Sequence, residues 1–109
     1  MTTAPHPRKG NKAVERKLHI LVAHLLERQC LPQWRWAHIT GCTPKGWPDF
    51  LITSPLRACF LQLPTSNGSV SKERSELAVF LISCGYGYGF TPDFDGAVAM
   101  LRDWGCIDG

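Results

Sequence analysis

The chain has 109 residues, 44% of them hydrophobic, with a formal net charge of +3 and a mean hydropathy of −0.11. That length bounds it to one domain with a single core, and the apolar content excludes intrinsic disorder. The charge is compatible with nucleic acid but too small to argue for it, and no apolar run approaches the roughly 18 residues of a membrane span.

Residues 1–10 carry two prolines, a glycine and several basic or histidine side chains; they are expected as a disordered arm, leaving 11–109 as one folded domain. From Asn11 to Gln29, Val14, Leu18, Leu21, Val22 and Leu25 recur at helical spacing until Pro32 stops the run. "WRWAHIT" alternates large apolar and polar residues as a strand does, with Trp34, Trp36 and His38 on one side. "GCTPKG" supplies loop chemistry. "DFLIT" and "ACFLQL" read as paired strands around a tight turn at "SPLR".

Ser71 is placed to cap a second helix from Lys72 to Cys84, with Leu77, Phe80, Leu81 and Cys84 toward the core. "YGYGF" reads as a strand whose glycines admit a close neighbour. Thr91 or Asp93 then opens a last helix carrying Phe94, Val98, Leu101 and Trp104, ended by Gly105. The order is αβββαβα. Three strands in succession form an antiparallel meander, and the fourth, arriving after a helix, makes the sheet mixed. The fold class is α/β.

Five cysteines, at 30, 42, 59, 84 and 106, show no CxxC spacing. They read as reduced, buried thiols, neither a disulfide frame nor a zinc site. The N-terminal "MTTAPHPRKGNK" lacks the apolar stretch of a secretory signal. A cytoplasmic protein with no membrane association is expected.

With "GWPDFLI" on the second strand and "FLQL" on the third, this order resembles the VRR-NUC branch of the PD-(D/E)xK nuclease superfamily. Glu15 in the first helix, "AHI" on the first strand and "SKER" opening the second helix add to the likeness. So do "CGYGYGF", "DFDGA" and the closing "LRDWG", so that the resemblance spans about residues 13–105. It implies a restriction-endonuclease-like core. The implied activity is metal-dependent endonucleolytic hydrolysis of DNA, with branched or flapped structures among the substrates, by a homodimer. The alternative is a catalytically silent module of the same fold that binds DNA or a protein partner.

The resemblance also assigns residues. Phosphodiester hydrolysis uses a divalent ion to polarise the phosphate and acidify a water, and oxygen ligands suit Mg²⁺ or Mn²⁺. Asp49 is the implied first ligand, Gln62 the second and the Leu63 carbonyl a third; Glu15, at the border of the apolar stripe, is a fourth candidate. The family's motif lysine would stand at position 64, where this chain has Pro64. Loss of one such preorganised group typically costs about 10²–10³ in rate.

Lys72, in the first turn of the second helix, and Lys45, in the loop before Asp49, are candidate replacements. Arg74 stands where the family has glutamine; it supplies charge but is too basic to shuttle a proton. Asp49, Gln62 and Lys72 are therefore the catalytic candidates. Lys9, Lys12 and Arg16, with Lys45 and Arg74, are candidates for contacting DNA, as basic residues that would make binding salt-dependent. His38, in "AHI", is a further candidate, although a strand histidine is more often structural. Trp34, Trp36 and Trp47 fit either base stacking or packing.

Overall fold

Five consecutive residues, four at the end of one strand and the one that follows it, Cys59 to Leu63, are buried, which requires cover on both faces of the sheet and a neighbour on each edge. The computed structural model describes residues 5–39, 46–64 and 71–108, with side chains in the first helix described from Arg16 onward. The elements are α1 (Pro5–Gln29), β1 (Arg35–His38), β2 (Phe50–Ser54), β3 (Arg57–Gln62), α2 (Lys72–Ser83), β4 (Gly87–Phe90) and α3 (Phe94–Trp104). The four strands form one mixed sheet in the order β1-β2-β3-β4. The first two pairings are antiparallel, and β4 joins β3 in parallel after α2.

Period-two alternation assigns the faces. Phe50, Ile52, Cys59 and Leu61 point to one side, where they meet Leu18, Val22, Leu25 and Leu26 of α1 and Ala97 and Leu101 of α3 in a single core. Phe60, Gln62, Tyr88 and Phe90 point to the other side, toward α2. The β4 glycines make room for their neighbours, Gly89 for α3 and Gly87 for the side chains of β3. A Cβ built on Gly89 would stand 2.6 Å from Met100 Sδ, and one on Gly87 would stand 2.8 Å from Cys59 Sγ. The chain behind α3 returns to α1 through a bridge between Cys30 and Ile107.

The helix ends follow the local chemistry. Ser71 Oγ accepts from Arg74 N at 3.1 Å, and Asp93 Oδ1 accepts from Gly96 N at 2.7 Å, so each caps the helix that follows it. Gly105 ends α3 at φ 84°. α1 begins at Pro5, within the stretch expected as a disordered arm. Prolines in a first turn lose no hydrogen bond, because those N–H groups have no helical acceptor.

The face expected for α2 is corrected. Leu81 is buried, but Phe80 is 59% exposed, and Val79 and Ile82 are exposed with it; Cys84 faces solvent too. "LAVFLIS" is apolar on nearly every side, so periodicity cannot choose its inward stripe. Of the other cysteines, Cys59 and Cys106 are buried free thiols and Cys30 is half-buried. The hydrogen bond with Cys59, together with burial, raises the Cys106 thiol pKa. Cys42 lies outside the described residues. Among the described residues, no helix is long and apolar enough to cross a membrane.

One turn connects the fold to the site. Gly46 takes φ 94°, and a Cβ added there would approach the Glu73 backbone carbon at 3.0 Å. The left-handed region costs a side-chain-bearing residue about 1–2 kcal/mol. Gly46→Ala is expected to destabilise the protein by about that much, and to push the segment before Asp49 away from α2. A thermal melt reads the first effect, and faster amide exchange at Trp47 reads the second.

Candidate functional site

Asp49 precedes β2 by one residue, and its backbone is already pinned in the sheet. Ile39 N donates to Asp49 O at 2.7 Å, and Asp49 N donates to Leu61 O at 3.0 Å. The preceding Pro48 is fully buried. The register that sets Phe50 opposite Leu61 brings position 49 alongside positions 62 and 63. Gln62 is pinned in turn, with its carbonyl accepting from Thr91 N at 3.1 Å. Two residues far apart in sequence thus meet on backbone that cannot drift.

Their side chains are in contact. Asp49 Oδ2 accepts from Leu63 N at 2.7 Å and from Gln62 Nε2 at 3.0 Å. Gln62 Nε2 also donates to the Leu63 carbonyl at 3.3 Å. Gln62 is only 2% exposed, yet its Oε1 has no hydrogen-bond partner among the described residues. A buried acceptor left unmet costs about 1–3 kcal/mol, so this oxygen calls for an explanation.

On its other side Asp49 faces α1. Its Oδ1 lies 3.8 Å from His19 Nε2, close enough for an ion pair when the imidazole is protonated. His19 Nδ1 stands 2.9 Å from His38 Nε2, and the His38 ring stacks on Phe50 with centroids 4.4 Å apart. Desolvation and the neighbouring His19 hold the His38 pKa below its ordinary value, against the opposing pull of Asp49. The residues run Asp49, His19, His38. Sequence reasoning passed over His19; the available signal was its place one helical turn after Glu15, on the same face of α1.

Arg74 closes the arrangement from α2. It is half-buried, and its Nη1 donates to the Leu63 carbonyl at 3.1 Å. Beside it, Gln62, Arg74, Ser75, Ala78, Tyr88 and Phe90 line a cleft of about 190 Å³. Burial raises the Tyr88 phenol pKa; the Arg74 charge opposes that shift and Asp49 adds to it. Tyr88 was not picked out from the sequence either, because in "GYGYG" the glycines draw attention first.

The remaining candidates lie elsewhere. Lys72 is exposed, and its Nζ lies 3.8 Å from Glu76 Oε2 on the solvent face of α2. Arg16 is exposed on α1, one turn before His19. The side chains of Lys9, Lys12 and Glu15, and all of Lys45, lie outside the described residues. Trp34 belongs to the core; Trp36 packs partly against it and lies near Phe50. Trp47 stands edge-on to Phe60 at 6.2 Å.

The donor set is compatible with a hard divalent ion. Mg²⁺ characteristically takes one or two carboxylates and completes its shell with water, and an amide or main-chain oxygen serves as a neutral ligand. Among the described residues no group of three or more His, Cys, Asp or Glu side chains could hold a metal. A cation at this corner would have one carboxylate, that of Asp49, and the Leu63 carbonyl, with Gln62 contributing an oxygen only if its amide, now presenting Nε2, were turned over. In comparisons with known proteins, the chain matches no family model, no curated protein and no solved structure.

Proposed function

We propose that this chain is a metal-dependent DNA endonuclease of the VRR-NUC type, with a restriction-endonuclease-like core. The observation that carries the reading is the convergence of the Asp49 carboxylate, the buried Gln62 amide and the Leu63 carbonyl at one corner of the sheet. The amide presents its NH₂ to Asp49, and by rotation about its last bond the same side chain can present its oxygen instead. A cation at this corner would favour the oxygen-facing amide, so that Gln62 could serve as a neutral ligand.

Asp49, Gln62 and Leu63 would hold Mg²⁺ or Mn²⁺, with Glu15 as a further carboxylate from α1. The cation would polarise the phosphate and lower the pKa of an attacking water. The chain's own residues orient that chemistry. The sheet fixes Asp49 and Gln62, and Leu63 N holds one carboxylate oxygen in place. His19, beside the other oxygen, is placed to take up or release a proton.

The experiment is incubation with supercoiled, flapped and four-way DNA in Mn²⁺, beside an Asp49→Ala variant. Cleavage that requires the metal and disappears with Asp49 supports the proposal. No cleavage of any substrate, with DNA still retained, would instead favour a catalytically silent DNA-binding module.

The protein works as a homodimer in this reading, since one small domain reaches only a short length of duplex. The apolar side chains of the final helix are largely committed to the core, whereas α2 presents Val79, Phe80 and Ile82 to solvent. A dimeric mass in light scattering at micromolar concentration is expected, falling to the monomer with Phe80→Glu.

A further inference from the structure

We infer that Arg74 supplies the positive charge that the scissile phosphate meets, in the place where Pro64 offers none. The inference rests on the nuclease reading and extends it to a residue at which this chain departs from the resembled family. Three observations support it.

The first is position. Arg74 Nη1 is bonded to the Leu63 carbonyl at 3.1 Å, and that carbonyl also accepts from Gln62 Nε2. The guanidinium therefore lies one carbonyl away from the Asp49–Gln62 contact. The second is commitment. Ser71 caps α2 through the Arg74 N–H, which sets where the helix starts and which way position 74 faces. A planar guanidinium with one arm fixed to a carbonyl keeps its other N–H groups in a defined fork, suited to phosphate oxygens.

The third is the space beside it. The cleft of about 190 Å³ is bounded by Arg74, Gln62, Ser75 and Tyr88 and by the apolar Ala78 and Phe90, so a phosphodiester entering there would meet a guanidinium, an amide and a phenol beside an apolar wall. Lys72 does not compete for this role, being turned to solvent beside Glu76. Arg74 needs no proton transfer to act. It stabilises charge that builds on the phosphate oxygens, while the proton leaving the attacking water goes to His19, beside Asp49 Oδ1.

The test compares wild type, Asp49→Ala, Arg74→Ala, Arg74→Gln and Arg74→Lys in single-turnover cleavage with Mn²⁺. Mn²⁺ affinity is measured in parallel by isothermal titration, and folding by thermal melts. Arg74→Ala and Arg74→Gln should lower the rate at saturating DNA by about 10²–10³, the usual cost of one preorganised group, with half-saturating DNA shifted much less. Arg74→Lys should recover part of the loss. Arg74→Gln keeps a polar but uncharged side chain, so a rate loss at unchanged melting temperature separates catalysis from folding.

If wild type cleaves in an Asp49-dependent way and Arg74→Gln stays within a few-fold of it, the inference is overturned while the nuclease reading stands. Arg74→Gln binding Mn²⁺ more tightly and cleaving faster also overturns it, showing that the guanidinium blocks the corner. If wild type shows no Asp49-dependent cleavage, the nuclease reading fails and this inference fails with it.

Discussion

Asp49→Asn is expected to bind DNA as wild type does and to cleave it at least about 10³-fold more slowly in Mn²⁺. Asparagine is the more informative replacement because Asp49 has two duties. Its Oδ2 satisfies the buried Leu63 N–H at 2.7 Å and receives the Gln62 amide. Alanine would leave both donors without that acceptor, at about 1–3 kcal/mol for each buried group, so an inactive alanine variant does not by itself separate chemistry from folding. The side-chain oxygen of an asparagine can still accept from Leu63 N, so the fold is retained while the charge is removed. A neutral oxygen attracts a divalent ion far less than a carboxylate does. Loss of cleavage at an unchanged melting temperature would therefore report the cation. A variant that cleaves like wild type would remove Asp49 from the chemistry.

Gln62→Glu should strengthen metal binding while weakening the metal-free fold. Without metal, the substitution sets two carboxylates where an amide donor now stands 3.0 Å from Asp49 Oδ2. Like charges so close cannot both ionise easily, so one carboxyl is driven to bind a proton. The metal-free variant should melt below wild type near neutral pH and regain stability as the pH falls through the raised pKa. With metal, a second carboxylate adds Coulomb attraction. Two unit charges at 4 Å are worth about 4 kcal/mol at an effective dielectric of about 20, and desolvation offsets part of this. Mn²⁺ binding roughly ten- to a hundredfold tighter than wild type follows, with a larger rise in melting temperature on adding Mn²⁺. Titration calorimetry and melts with and without Mn²⁺ measure both. Equal Mn²⁺ affinity in the two proteins would mean that position 62 does not face the cation.

How much of this was legible beforehand depends on the kind of signal. The β2–β3 hairpin was, because "SPLR" punctuates two aromatic-rich runs and period-two alternation then fixes their register. That register alone brings Asp49 to Gln62, since a residue just before Phe50 must meet one just after Leu61. The cap at Ser71 was legible for a similar reason, a short polar side chain before an apolar run having few other uses there; the cap of α3 was narrowed to Thr91 or Asp93, and the structure selects Asp93. α2 was not. Its apolar residues crowd "LAVFLI" so densely that Leu81 inside and Phe80 outside look alike from spacing.

The contrast between Lys72 and Arg74 has a geometric cause. Residues two apart on an α-helix lie about 200° apart around its axis, at 3.6 residues per turn, so one facing β3 sends the other to solvent. Capping by Ser71 decides which, and Arg74 turns inward to the Leu63 carbonyl. His19 was missed because its one sequence signal, a place one helical turn after Glu15, names no partner. Its meaning comes only from Asp49 and His38, which reach it through tertiary packing.

A divalent cation held by the Asp49–Gln62–Leu63 corner is the claim on which the rest depends. Anomalous scattering from crystals of the protein soaked in Mn²⁺ tests it most directly. The expected result is a single strong peak within about 2–2.5 Å of the Asp49 carboxylate, the Leu63 carbonyl and the Gln62 side-chain oxygen. Crystals fully equilibrated with Mn²⁺ that show no peak there, with Gln62 Nε2 still donating to Asp49, would contradict it.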